Sequence, residues 1–231
     1  MSHTSTPPMT IRAWQEMFQK IYSKNNMKLT DVDAWLHLTE ETAEFAKVMR
    51  KENYVELRQS LPDLFAWLCA FANRAAIDLE GALWRKYPRI CPFCEKRMNC
   101  VCIAEAQHSK YDPIAIAHYI DGDKNKPQTF SEWNAMFKDI YGNMNRVLSR
   151  DSIGFHLIEE VGQVARKIRE KKPDEYAIEM ADVFAWLIAV TMKLEGEIAP
   201  LDTLSWDVYP GLCKRCREPE CICFEDNRHP R

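Results

Sequence analysis

The chain has 231 residues, 46% of them hydrophobic, with 31 basic and 34 acidic side chains and a formal net charge of −3. That is enough apolar material for one large domain or two modest ones, and the near balance of charge lacks the basic stripe of a duplex-nucleic-acid binder. Only 7 Gly are present and neither GxGxxG nor GxxxxGK[ST] occurs, so dinucleotide-binding and P-loop folds have no support. The opening MSHTSTPPMT has no apolar segment of the kind a secretory signal needs, and the longest apolar run, around VFAWLIAVTM, is far shorter than a bilayer span. The expectation is a soluble, cytoplasmic protein without a membrane partner.

Residues 1–9 read as a flexible N-terminus. A first helix follows, with Thr10 as its cap and Trp14, Met17, Phe18, Ile21 and Tyr22 forming one apolar stripe at 3–4 spacing. A second starts near Asp31 or Asp33 and runs to about Lys51, and a third spans about Asn53 to Asn73. A short fourth helix precedes the Tyr87-Pro88 pair. Residues 103–128 have no internal counterpart and read as a linker, ending in the turn-like DGDKNKP.

The elements then recur. Shifting the chain by 119 residues aligns Thr10–Leu68 with Thr129–Leu187 without a gap, giving 20 identities in 59 positions. Beyond that the shift becomes 122, where KYPRICPFC meets VYPGLCKRC. This is an internal duplication of about 90 residues per unit, with the first unit at 10–102, the second at 129–224 and a tail at 225–231. In the second copy, KKPDE places Pro173 at a helix start. No alternating strand pattern appears, so the fold class is all-α, with helix lengths that suit a bundle.

The acidic residues carry the chemistry. Glu41 and Glu44 are three apart, as are Glu160 and Gln163, and Glu179 and Asp182 are three apart on the next helix, so each pair shares a helix face. If the second and third helices of a unit pack antiparallel, the pairs face each other across the bundle. Asp63 and Asp182 each stand directly before an apolar [LV]FAWL block, which favours an inward direction over the solvated face that acidic helix pairs usually adopt. An oxygen-rich, Cys-free cluster suits Mg²⁺ or Mn²⁺.

The ExxE pair, the ExxD pair on the following helix and the later Tyr-Pro resemble the MazG-like all-α nucleoside triphosphate pyrophosphatases, a superfamily that includes dimeric dUTPases and dCTP pyrophosphatases. The resemblance covers both units and implies a tandem duplicated MazG-like helical bundle, an intramolecular pseudo-dimer. It also implies Mg²⁺-dependent hydrolysis of a (d)NTP to the monophosphate and pyrophosphate, with a nucleoside triphosphate as partner. A homodimer of the pseudo-dimer is a further assembly that the family suggests. Carried over by position, the motif falls on Glu41, Glu44, Ser60 and Asp63 in the first unit and on Glu160, Gln163, Glu179 and Asp182 in the second. Each unit therefore replaces one family carboxylate, by Ser60 or by Gln163, with Glu56 one turn before Ser60 as a partial substitute. The second unit is the better metal site on this reading, because an amide oxygen still ligates. The same replacements keep alive a nucleotide-binding protein without turnover, and a zinc-stapled helical adaptor is the third alternative. Trp67 and Trp186 stand where some family members place an aromatic beside the base. Lys47, Arg50, Arg166 and Arg169 are candidates for phosphate contact, as are His37 and His156 one turn before the acids. A core role for the tryptophans and a solvated face for the cations are the competing accounts.

Eight of the nine Cys form two matching CxxC…CxC groups, Cys91, Cys94, Cys100, Cys102 and Cys213, Cys216, Cys221, Cys223. Four thiolates within a dozen residues satisfy the tetrahedral demand of Zn²⁺ and leave no open position, so each group is expected to be a structural zinc knuckle that pins the end of its unit. A redox pair or an iron–sulfur cluster are the alternatives.

Overall fold

The computed structural model describes residues 7–102, 112–120 and 125–223. Most of the expected N-terminal segment, parts of the expected linker and the tail at 225–231 lie outside the described residues. The described residues form nine helices: α1 (Ile11–Asn26), α2 (Asp31–Arg50), α3 (Tyr54–Arg74), α4 (Leu79–Lys86), α5 (Pro113–Ala117), α6 (Phe130–Val147), α7 (Arg150–Arg169), α8 (Pro173–Lys193) and α9 (Leu201–Val208). They contain no β-strand beyond one isolated bridge, Glu195 to Ile198. The chain is thus all-α and duplicated, with α1–α4 repeated as α6–α9.

Local chemistry sets the ends of these helices. The Thr10 hydroxyl accepts the Ala13 N–H at 2.8 Å and starts α1. Thr30 and Asp33 form a reciprocal capping box at α2, and Thr129 and Glu132 do the same at α6. The Asn53 side chain caps α3 through the Glu56 N–H. Pro173 opens α8 as expected, since its missing N–H costs nothing in a first turn. Pro62 sits inside α3, where it interrupts the backbone ladder one residue before Asp63.

Within each unit the second and third helices pack as a pair, α2 on α3 and α7 on α8, and α2 also packs on α7 across the duplication. The short fourth helices do not stay at home. α4 of the first unit packs on α8, and α9 of the second packs on α3. The two units share one hydrophobic core. The Phe65 ring meets Trp14 and Phe18 of its own unit and Phe130 and Phe184 of the other, with centroids 5.7–6.0 Å apart. The Trp84–Trp133 and Trp14–Trp206 pairs, at 6.4 and 6.1 Å, join the units again. Aromatic pairs in edge-on contact contribute roughly 0.5–1.5 kcal/mol each beyond their buried area. Among the described residues, no helix is long and apolar enough to cross a membrane.

Candidate functional site

The α7–α8 pair brings Glu160, Glu179 and Asp182 together, with one oxygen of each within 4.8 Å of the others. Asp182 is buried and the other two are half-buried. Three carboxylates at that separation repel unless protons or cations neutralise them. The Glu160 carboxyl responds by holding its proton: burial, and secondarily the Asp182 charge, push its pKa from 4.5 up to about 8. Gln163, one turn further along α7, has its Oε1 buried with no hydrogen-bond partner. A buried carbonyl oxygen left unpaired one turn from such acids is what a cation ligand looks like when only the protein is described. The residue set fits Mg²⁺ or Mn²⁺.

The first unit departs from this pattern. Glu41 and Asp63 are near each other, and burial followed by the Asp63 charge pushes the Glu41 carboxyl up to about 7. Glu44, however, turns to Lys47 at 2.9 Å and its side chain is 45% exposed. Ser60 is buried and its hydroxyl donates to the Leu57 carbonyl. Glu56 is exposed in the first turn of α3. Of the side chains expected at the metal sites, the structure therefore gathers the three second-unit acids, with Gln163 one turn away, and separates Glu44 from the first-unit pair.

Each acidic cluster is finished by the other unit. In the second-unit cluster, the Tyr87 hydroxyl donates to Asp182 Oδ1 at 2.5 Å and the Lys86 ammonium donates to Oδ2. At the first-unit cluster, the Tyr209 hydroxyl donates to Asp63 Oδ1, and Lys214 donates to Oδ2 at 2.5 Å. The Tyr-Pro motif noticed in the sequence thus supplies a hydroxyl to the opposite unit's aspartate. The two lysines, by contrast, gave no signal as site residues.

Two cavities open beside these aspartates. One, of about 230 Å³, is lined by His156, Glu160, Asp182, Trp186, Asn145 and Tyr87, among others. Its counterpart, of about 290 Å³, is lined by His37, Glu41, Trp67, Asn26 and Tyr209. Trp186 lies nearly parallel to His156 with centroids 4.4 Å apart, and Trp67 to His37 at 4.3 Å. The histidines are fixed in turn by Glu159 and Glu40, each at 3.0 Å. Lys47, Arg50, Arg166 and Arg169 do not line either cavity. Glu175 pairs with Lys167, which also reaches Glu179 at 3.5 Å. Sequence reasoning missed Asn145, which is 4% exposed with both amide atoms unpartnered, and Asn26, whose Nδ2 is unpartnered. The signal was present, because Asn26 and Asn145 are one of the identities between the copies, a polar residue kept at the end of an otherwise apolar stripe.

The two cysteine groups are built alike. In the first, Cys91 Sγ lies 3.6 Å from Cys102 Sγ and 3.5 Å from Cys100 Sγ, and Cys94 Sγ lies 3.7 Å from Cys100 Sγ. In the second, Cys213 Sγ lies 3.5 and 3.9 Å from the sulfurs of Cys221 and Cys223. All nine cysteines are unbridged. A tetrahedron with metal–sulfur bonds of about 2.3 Å has edges of about 3.8 Å, so these are ligand spacings rather than disulfide ones of about 2.05 Å. The turns match as well. Cys91 N–H donates to the Lys96 carbonyl and Cys213 N–H to that of Glu218, both at 2.9 Å. Glu95 and Arg217 take the same positive φ, 56° and 62°. Both groups can hold a metal ion. Each docks on the first helix of the opposite unit, through Cys100 N–H to the Ile140 carbonyl at 2.8 Å and Cys221 N–H to the Ile21 carbonyl at 2.7 Å. Cys91, Cys100 and Cys102 wall the Asp182 cavity, and Cys213, Cys221 and Cys223 wall the other.

Comparison with protein-family models matches the MazG nucleotide pyrophosphohydrolase domain over residues 29–94 and 148–199, one segment in each unit. No curated protein and no solved structure matches the chain.

Proposed function

We propose that this chain, a member of the MazG nucleotide pyrophosphohydrolase family, hydrolyses a nucleoside triphosphate to the monophosphate and pyrophosphate at its second-unit cluster. The observation that carries this reading is the convergence of Glu160, Glu179 and Asp182 within 4.8 Å, with the orphaned Gln163 oxygen one turn along α7. These four residues would hold Mg²⁺ or Mn²⁺. Such an ion supplies charge for the phosphate oxygens and a more acidic water.

The remaining work falls to the chain. Glu160, Glu179 and Asp182 would also orient the attacking water, and without the ion Glu160 keeps its proton, because burial and the Asp182 charge push its carboxyl up to about 8. The base has the apolar cavity beside it, with the Trp186 ring as a stacking face and the Asn145 amide offering donor and acceptor to its polar edge. An amide can meet complementary base edges in this way, and a mismatched edge leaves the buried amide unpaired. His156 stacks on Trp186 and holds it in place.

Each four-cysteine group is assigned a structural Zn²⁺. The sulfur spacings support this, and four protein ligands leave no vacant coordination position for catalysis. The first-unit cluster, with Glu44 turned outward and Ser60 buried, is read as a nucleotide-binding copy with weak or no turnover. The test is product analysis on a panel of (d)NTPs with Mg²⁺. Equal amounts of monophosphate and pyrophosphate are expected. Folded protein that binds nucleotide without releasing pyrophosphate would leave only the binding role.

A further inference from the structure

The two aspartates have the same pair of partners, but the repeat does not explain both. Tyr87 and Tyr209 are equivalent positions in the duplication, 122 residues apart. Lys86 and Lys214 are not. The residue equivalent to Lys86 is Val208, and the one equivalent to Lys214 is Pro92. Lys86 reaches Asp182 from the last turn of α4, immediately before the tyrosine, and is 3% exposed. Lys214 reaches Asp63 from inside the second cysteine loop, next to Cys213, and its side chain is 38% exposed. Two different backbone positions, one in a helix and one in a metal-ligand loop, deliver an ammonium to the same oxygen of equivalent aspartates. Both come from the opposite unit.

Simple helix stabilisation does not account for this. The ion pairs join residues 96 and 151 positions apart and tie elements of different units together. Nor is a lysine needed to satisfy the aspartate alone, since the tyrosine hydroxyl already bonds one of its oxygens. What both lysines share is their location at a carboxylate that the family reading gives to the metal.

We propose that Lys86 and Lys214 are exchangeable counter-cations, each holding the place of the divalent ion on its aspartate until nucleotide and metal arrive. The proposal rests on the reading of these acids as metal sites. An ammonium and a divalent cation compete for the same oxygens, so the lysine weakens metal binding to the nucleotide-free protein. Once the ion takes the aspartate, the displaced ammonium is left beside the phosphates that accompany it. Metal binding is therefore weak until nucleotide enters with it. Lys167 pairs with Glu175 and Glu179 of its own unit and is not a contact between the units.

The experiment is a Mn²⁺ titration of the full-length, zinc-loaded protein, with free Mn²⁺ read by electron paramagnetic resonance and no nucleotide present. Wild type, Lys86→Met, Lys86→Arg and Lys214→Met are compared. Each Met substitution should tighten one Mn²⁺ site by roughly tenfold, as expected on removing a cation at hydrogen-bond distance. Lys86→Arg, which keeps the charge, should stay near wild type. Because Lys214 is partly exposed, its variant carries the test even if Lys86→Met fails to fold. Unchanged or weaker Mn²⁺ affinity in folded Met variants overturns the role of the lysines and leaves the metal site intact. No Mn²⁺ binding by any form, in this titration or in its repeat with a nucleoside triphosphate present, overturns both.

Discussion

The proton that Glu160 holds couples its site to the stability of the fold. An unfolded chain releases that proton near 4.5, whereas the folded chain holds it to about 8. Between those values the unfolded state binds fewer protons, so stability falls as pH rises. Glu41 adds the same trend up to about 7. In the zinc-loaded protein without Mg²⁺ or Mn²⁺, these two carboxyls should therefore lower the melting temperature as pH rises from about 5 to 8, and Glu160→Gln should flatten the upper part of that decline relative to wild type in a calorimetric series. Asn145 tests the proposed base contact. If its amide meets the base, as proposed, Asn145→Ala should lower kcat/KM on the preferred nucleotide by roughly tenfold, the loss of one or two buried hydrogen bonds, mainly through KM. Discrimination between bases should shrink with it. Equal losses on every nucleotide would place the base elsewhere. The acids of this site were legible in the sequence, because ExxE and ExxD spacing put Glu160, Glu179 and Asp182 on facing helix surfaces, and the fold brings them together. The same spacing included Glu44, which turns instead to Lys47, because a side chain 45% exposed on a helix surface gains a neighbouring ammonium without losing water. Spacing does not encode that choice.

Among the helices, caps and stripes marked several of the starts. Thr10 and Pro173 each start a helix where their chemistry directs it, and α2 begins at Asp31, one of the two starts expected. The exchange of α4 and α9 between units was not readable, for a physical reason. Periodicity says which face of a helix is apolar, but not which partner covers it. Because the two units carry near copies of the same faces, packing at home and packing across the duplication look alike in the sequence. The same degeneracy hid Lys86 and Lys214, which reach Asp182 and Asp63 only because the units exchange ends. The exchange is anchored by Phe65, which touches aromatic rings from both units. Phe65→Ala should therefore cost about 3–5 kcal/mol, and the loss should appear as one cooperative transition for the whole chain in denaturant unfolding. Two separated transitions would mean that the units hold independent cores.

Taken as one molecule, the chain makes each site a joint product of both halves: acids and tryptophan on one side, tyrosine, lysine and a cysteine knuckle on the other. The duplication was legible, and so was the pairing of a cysteine group with each copy. Which cavity each group walls was not, since that depends on the exchange. It follows that zinc loss should act across the units. Cys91→Ser with Cys94→Ser should remove one of two zinc equivalents by elemental analysis, and nucleotide affinity should weaken at the Asp182 cavity rather than at the Asp63 cavity. The claim on which the rest depends is that the second-unit acids form the working site. Pyrophosphate release by Asp182→Asn and Asp63→Asn, both checked for folding by circular dichroism, tests it most directly. Asp182→Asn should lose on the order of 10²–10⁴-fold in rate, the scale of a lost group acting in the reaction, while Asp63→Asn keeps most of its activity. Full activity in Asp182→Asn, or loss confined to Asp63→Asn, would contradict it.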